Sequence, residues 1–370
     1  MSTVYIRHAT YDDRNIRSVV FDLLNSDEAP AIGAGTRVLI KPNFLVPAVP
    51  EKAVTTHPSI VRAAAEFALE KGARVQISDS PAAGGFTRLM KKGGYNEAFG
   101  DLDVDVRPFE KTISVDMGEP FGSIDVAKDA MEADVVLNLA KLKTHSMMML
   151  TLGVKNIFGC IVGLKKSEWH MRAGVDRHLF GHLIVSIHEA VGPAYTIVDG
   201  VLAMEGLGPG KSGTPRQLDL ILGGKSAYAV DHVACLLVGM DPDKLETLQN
   251  AREMGVYDGA VHINGDLKII DDFRFPELGS LNIGPKPLGW FMRKYVIQQP
   301  VADRKACKLC GECWKHCPAA VISHTDRGVY FDTDKCIRCY CCLEVCPHAA
   351  IRAQKPLVGK IWSWWKGISR

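Results

Sequence analysis

No uninterrupted apolar stretch in these 370 residues reaches the roughly 18 needed to cross a bilayer. The longest candidate, 147–164, is broken by Lys155 and Asn156. An excess of one charge is also missing. The 44 Lys and Arg against 42 Asp and Glu leave +2, too balanced to point to nucleic acid, and the cations are not interleaved with stacking aromatics. Met1-Ser2-Thr3-Val4 runs straight into a strand-like segment without the basic and apolar leader of a secretory signal, so a cytoplasmic protein is expected. No G-x-G-x-x-G follows the first strand-like segment. The glycine-rich stretch 206–213 fails as a phosphate loop, because position 205 is Glu205 and Pro215 would spoil the receiving helix. ATP hydrolysis and tight nicotinamide binding therefore have no basis in the sequence.

What the chain does have is cysteine, eleven in all, eight of them in two runs. Cys307, Cys310, Cys313 and Cys317 precede Pro318; Cys336, Cys339, Cys342 and Cys346 precede Pro347. Both runs read C-x₂-C-x₂-C-x₃-C-P, the spacing of bacterial iron–sulfur ferredoxins, in which the fourth thiolate of each run ligates the other cluster. That pattern assigns Cys307, Cys310, Cys313 and Cys346 to one cluster and Cys336, Cys339, Cys342 and Cys317 to a second. A disulfide framework would need an oxidising compartment, and zinc ribbons set two C-x₂-C pairs well apart without a third cysteine so close behind. Short strands are expected at 319–323 and 328–332, and Ala319-Ala320-Val321-Ile322 is echoed by His348-Ala349-Ala350-Ile351. Residues 302–352 resemble a bacterial-type ferredoxin, which implies a small α+β module carrying two 4Fe-4S clusters. Of the remaining cysteines, Cys235 falls in an apolar helical pattern and reads as core, Cys341 sits between ligands, and Cys160 reads as either a buried structural thiol or a reactive one.

The first three quarters alternate strand and helix patterns. Strands are expected at 4–6, 36–40, 74–78, 134–139 and 194–198, with helices at 15–24 and from Pro58 to Lys71-Gly72. This order predicts an α/β fold, a mostly parallel sheet with helices on both faces. Ligands in such sheets bind beyond the carboxyl ends of the strands. Those ends read Lys41-Pro42-Asn43, Asp79-Ser80-Pro81, Lys141-Leu142-Lys143-Thr144-His145 and Asp199-Gly200, so polar groups collect where this fold binds ligands.

The same residues carry a resemblance. Val38-Leu39-Ile40-Lys41-Pro42-Asn43-Phe44, Thr56-His57-Pro58, Asp79-Ser80-Pro81, the Lys141 to His145 run, Leu152-Gly153-Val154-Lys155-Asn156, Asp199-Gly200, Glu205-Gly206 and an Asp231 that opens a helix together resemble the domain-of-unknown-function 362 family, over residues 4–272. Members often carry a two-cluster ferredoxin module behind this domain. Lysine and histidine at strand ends suit an anionic ligand and proton transfer. Lys143, His145 and Lys41 are therefore the expected catalytic groups, and Asn43, His57, Asp79, Lys141, Lys155, Asn156 and Glu205 the expected substrate-binding ones. Lys165 and Lys166 are adjacent, which leaves a solvated face open for them. The glycine-rich stretch 206–213 is expected to cover or line the site.

The boundaries drawn from this reading are 1–275 for the α/β domain, 276–301 for a linker anchored by Trp290, Phe291 and Met292, 302–352 for the cluster module and 353–370 for a tail. The tail has no acidic residue after Lys355 and places Leu357, Ile361, Trp364 and Ile368 on one stripe, flanked by Trp362 and Trp365. Such a helix docks on its own chain or a partner, or lies on an anionic membrane surface. The function expected is an iron–sulfur oxidoreductase that takes electrons from a redox partner protein and gives them to an anionic substrate or cofactor; the alternative is an electron carrier or assembly protein without turnover. A flavin would couple one-electron clusters to two-electron chemistry, though no motif indicates one.

Overall fold

The computed structural model describes residues 1–163, 165–173, 176–277, 291–292 and 294–361. Among the described residues, eleven strands belong to the large domain: β1 (Ser2–His8), β2 (Arg37–Pro42), β3 (Arg74–Ile77), β4 (Val104–Val106), β5 (Thr112–Asp116), β6 (Ser123–Ala127), β7 (Val135–His145), β8 (Met149–Thr151), β9 (Tyr195–Gly206), β10 (Gly213–Gly224) and β11 (Val261–Asn264). The main sheet runs β11-β1-β10-β9-β7-β2-β3-β4, with β8 paired to β7 and β5-β6 a separate hairpin. Neighbours from β9 to β4 pair in parallel, while β10 is antiparallel to both β1 and β9.

Alternation along the central strands sorts side chains into two cores. Val38, Ile40, Leu137, Leu139 and Ile197 pack against helices Asp13–Leu24 and Pro58–Glu70; Leu39, Val136, Val198 and Leu222 face helices Arg177–Val191 and Ala227–Leu237. The period of two in a parallel strand thus covers both sheet faces with helix, as expected. Asp12 accepts from the amide of Asn15 to cap the first helix, and Pro58 stands at the first position of the second.

Two strands run further than their sequence pattern. β7 continues through Lys141, Lys143 and His145 because β8 folds back on it, pairing Lys143 with Thr151 and His145 with Met149. β9 passes Asp199-Gly200 to Gly206 because β10 pairs with it as far as Gly213. The Lys141 to His145 run and the segment after Asp199-Gly200 are therefore hairpin arms, and the glycine-rich stretch is a hairpin tip.

The cluster module is bounded by β12 (Gln299–Ala302) and its antiparallel partner β15 (Ile351–Gln354), with β13 (Ile322–Thr325) and β14 (Gly328–Phe331) as the inner hairpin. It thus begins three residues before and ends two after the sequence boundary, since outer strands must pair to close it. Short helices Glu312–Lys315 and Cys341–Val345 connect the strands. The module is packed onto the large domain: Ile337, Cys339 and Cys341 join the core that holds Val198, and Val345 packs with Val46, Val54 and Met204. Trp290, Trp362, Trp364, Trp365 and Ile368 lie outside the described residues. Leu357 and Ile361 are exposed, while Gly359 lies against the backbone of Val296. Among the described residues no helix is long and apolar enough to cross a membrane.

Candidate active site

A cavity of about 450 Å³ opens at the ends of β2, β3 and β7, and both modules wall it. The large domain contributes Lys41, Asn43, Asp79, Lys143, His145, Lys155, Asn156, Lys166 and His170; the cluster module contributes His316, Cys341, Glu344 and Val345. Phe44, Phe86, Phe158 and Pro209 add apolar wall.

Most polar groups on the floor are already satisfied by one another. Lys41 Nζ lies 2.9 Å from Asp79 Oδ1 and donates to the carbonyl of Pro42 at 2.8 Å. Asp79 Oδ2 accepts from the amide of Phe44. Gly159 has no alternative here, because a Cβ at that position would sit 2.4 Å from Lys41 Nζ and 2.3 Å from Asp79 Oδ1. Lys143 Nζ donates to Asn43 Oδ1 at 2.7 Å and to the carbonyl of Val54. Asn43 Nδ2 donates to Asn156 Oδ1, and Asn156 Nδ2 donates to Asn138 Oδ1, each at 2.8 Å. Burial pushes the Lys143 ammonium well below its ordinary range.

His145 is held at Nδ1 and faces Glu344 with Nε2. Its Nδ1 accepts from the amides of Met147 and Met148, which places the proton of the neutral ring on Nε2, 3.1 Å from Glu344 Oε1. Burial, with Lys155 adding, pushes His145 down to about 4, so the ring is neutral at pH 7. Glu344 is drawn down to about 2, its burial opposed by His145 and Lys155.

Three groups keep capacity for a ligand. Lys155 has no hydrogen bond or ion pair among the described residues, and its ammonium lies 5.4 Å from the ring centre of Phe158 and 5.7 Å from that of Phe180. Lys166 donates to the carbonyl of Ser80, and burial lowers it to about 8. His170 is buried against Phe180 with Nδ1 unpartnered, and burial pushes it to about 3. Four lysines face two carboxylates across the cavity, so the uncompensated charge is positive. Lys165 instead turns outward to Asp125, which separates the two adjacent lysines between surface and pocket.

Lys141, His57 and Glu205 lie outside this cavity. Lys141 Nζ is 2.6 Å from Asp199 Oδ2 and donates to Tyr11 Oη at 3.0 Å, and Tyr11 donates to Asp199 Oδ1 at 2.8 Å. The His57 ring stacks on Tyr11 at 3.6 Å, and its amide donates to Asp199. Glu205 is buried under Arg274, which donates to it at 2.6 Å and fastens the chain after β11 onto β9. Asp231 does not open its helix, which Ser226 caps; one turn in, it accepts from the amides of Gly153 and Val154 and seats the segment carrying Lys155 and Asn156. Burial raises Asp231 to about 7 against the pull of those two amides. Cys160 is buried and its thiol is pushed up to about 12, which answers the earlier alternative in favour of an inert side chain. Cys235 is likewise core.

In the module, Cys307, Cys310, Cys313 and Cys346 ring one small void and Cys317, Cys336, Cys339 and Cys342 another. Each ring takes three thiols from one run and one from the other. Four thiols around a void fit a cubane cluster, and among the described residues no three His, Cys, Asp or Glu side chains converge as on a single ion. Cys341 packs in the same core as Cys339 and also lines the large cavity, so the second ring abuts the cavity wall.

The model of the family described as domain of unknown function DUF362 matches residues 38–236. The chain belongs to that family. A 4Fe-4S dicluster domain matches residues 299–347 behind the DUF362 domain, so an iron–sulfur electron-transfer module is part of the protein. The thylakoid-associated protein sll1697 of Synechocystis sp. is 34% identical over 66% of this chain and 77% of its own length. The formate dehydrogenase iron-sulfur subunit of Haemophilus influenzae is 35% identical over 26% of this chain and 28% of its own. A Streptomyces griseus ferredoxin is 42% identical over 15% and 50%. The lactate racemase apoprotein from Thermoanaerobacterium thermosaccharolyticum overlaps 54% of this chain and 50% of its own at a TM-score of 0.35 and 11% identity, too loosely to carry an argument.

Glu344, Cys341 and His316 were not legible as cavity residues, since they reach it only through docking of the module. Glu344 carries one local signal, a carboxylate among cysteine ligands in a segment with few other charges.

Proposed function

We propose that the protein is an iron–sulfur oxidoreductase that reduces a small anionic molecule held in the cavity shared by its two modules. The observation that carries this reading is the shared wall: Lys155, Lys166 and His170 from the DUF362 domain face Cys341 and Glu344, and Cys341 packs in one core with Cys339 of the second thiol ring. The two rings are assigned to two 4Fe-4S clusters, with Cys307, Cys310, Cys313 and Cys346 around one and Cys317, Cys336, Cys339 and Cys342 around the other. When bound, the clusters supply electrons one at a time.

The chain's own residues do the rest. Lys155 and Lys166 attract a carboxylate or phosphate, and the apolar wall of Phe44, Phe86 and Phe158 receives the body of the ligand and displaces water. Lys41 and Lys143 hold Asp79 and Asn43 in place and so position the floor. His145, neutral and hydrogen-bearing at Nε2, is placed to donate a hydrogen bond to a ligand that displaces Glu344 from it, and Lys166, its ammonium lowered to about 8, is the group able to give a proton to a reduced ligand.

The test is anaerobic reconstitution, then reduction with dithionite, then a panel of carboxylates, phosphates and flavin mononucleotide offered as acceptors while cluster absorbance is followed. Reoxidation that saturates with one anionic acceptor, and weakens at least tenfold in Lys155→Met with about eight irons retained, supports the reading. Binding of an anion with no reoxidation by any acceptor would favour a carrier or assembly role.

A further inference from the structure

The two thiol rings do not sit alike. In the second, Cys336, Cys339 and Cys342 are buried, and Cys339 lies in the large domain's core. In the first, Cys310 is exposed and Cys307 half-buried, with exposed Lys308 and Leu309 between them. One ring therefore faces the cavity and the other faces out.

Beside Cys310 lies a second cavity of about 240 Å³, walled by Val46, Pro47, Arg88, Lys211, Glu312 and His348 among others. Arg88 and Lys92 come from the helix Phe86–Lys92 and are exposed. Lys211 comes from the glycine-rich hairpin tip and donates to the carbonyl of Pro347. These three cations crowd one another: burial lowers the Lys211 ammonium, and the charges of Lys92 and Arg88 lower it further. Among the described residues none of Arg88, Lys92, Lys211 and Lys308 is ion-paired, and the one acidic group on this wall, Glu312, is 3.9 Å from His316. Like charges gathered without partners around the outermost thiol of a cluster ring leave a face that an oppositely charged protein would relieve.

We propose that this face, formed by Arg88, Lys92, Lys211 and Lys308 around Cys310, docks an acidic one-electron carrier protein and is where electrons come on to the chain. The carrier is oxidised by one electron and the cluster held by Cys307, Cys310, Cys313 and Cys346 is reduced by one; no proton need move. Exposed Leu309 supplies the apolar contact, and the cations supply steering and orientation. The proposal rests on the cluster reading of the previous section, and it gives the pair of rings a direction, from the exposed one to the buried one.

The experiment uses the anaerobically reconstituted full chain and a purified acidic flavodoxin. Calorimetry with oxidised flavodoxin gives the affinity, and stopped-flow mixing with reduced flavodoxin gives the bimolecular rate. The expected result is an affinity and a rate that both fall as salt rises, and both at least tenfold lower in Arg88→Glu/Lys92→Glu and in Lys308→Glu, with iron content and cluster spectra unchanged. Lys128→Glu, remote on the helix Lys128–Glu132, leaves both unchanged. Salt-independent affinity, or charge reversals without effect, overturns the proposal; so does flavodoxin binding that vesicles of phosphatidylglycerol abolish at equal strength through the same residues, which would make this a membrane-facing surface. Salt-dependent, reversal-sensitive flavodoxin binding by a preparation that holds zinc instead of iron would keep the docking face and refute the clusters, so the two readings fail separately.

Discussion

Lys141, buried, and Lys155, half-buried, are both lysines that the sequence places near strand ends, yet their surroundings are opposite. Lys141 is enclosed by Asp199 and Tyr11, and every charge in that cluster has a partner. Lys155 lies over two aromatic rings with no acceptor and faces a cavity. Burial lowers both ammonium groups, but at Lys141 the Asp199 charge opposes the shift, whereas at Lys155 the nearest opposing carboxylate is Glu344, already beside His145. A paired buried cation maintains the fold; an unpaired one costs stability and is retained where a ligand completes it.

The sharpest way to break this contrast is one substitution made at both positions. Lys141→Met should destabilise by about 3–5 kcal/mol, since it strands the buried Asp199 carboxylate. Lys155→Met should leave stability unchanged or raise it by up to about 1 kcal/mol, as read by anaerobic denaturant melts of both variants. Equal losses would mean that Lys155 is structural as well.

Acid should act on the cavity through its neutral histidines. His145 and His170 are lowered to about 4 and about 3, so between pH 6 and pH 4.5 the unfolded chain binds protons that the folded one refuses. Stability therefore falls as pH falls, by about 1.4 kcal/mol per pH unit for each histidine, and His170→Phe should remove about half of that slope. A slope unchanged in that variant would place the acid sensitivity elsewhere.

Smaller effects concern the ligand. Anion affinity should drop about tenfold in Lys155→Met, measured by calorimetry with whichever acceptor the screen finds. Lys166, lowered to about 8, carries its charge below that pH and loses it above, so affinity should be flat to pH 8 and then decline. Lys166→Arg should carry that plateau upward, because a guanidinium stays charged.

The sequence made the layered α/β architecture and the two cysteine runs legible, because period-two strands, capped helices and fixed ligand spacing are local patterns. Lys41, Asn43, Asp79, Lys143 and His145 were placed in one cavity by the rule that ligands gather at strand ends, and Lys155 and Asn156 by the family resemblance. The same rule also nominated Lys141, and the resemblance His57 and Glu205, which the fold sends elsewhere: a residue on a strand end can be claimed by the neighbouring strand, as Asp199 claims Lys141, and nothing local marks which. The two adjacent lysines were separable only in three dimensions, where the helix Lys165–Ala173 turns Lys165 to Asp125 and Lys166 to Ser80. The module's share of the wall required knowing how two domains dock. Gly210 shows the physical reason: a Cβ there would sit 2.9 Å from the backbone oxygen of Glu344, so a glycine that reads as loop flexibility is a contact surface.

The crossed arrangement of the thiols also has a consequence in time. Cys346, which completes the ring of Cys307, Cys310 and Cys313, follows the whole large domain in the sequence. Since chains emerge from the ribosome amino end first and domains fold as units, the strands and helices of the large domain are already assembled when that thiol appears. The earlier run waits, three thiols around an incomplete ring, beside a finished surface. The large domain is thus the bench on which the module is put together, and whatever fills its rings is installed after it.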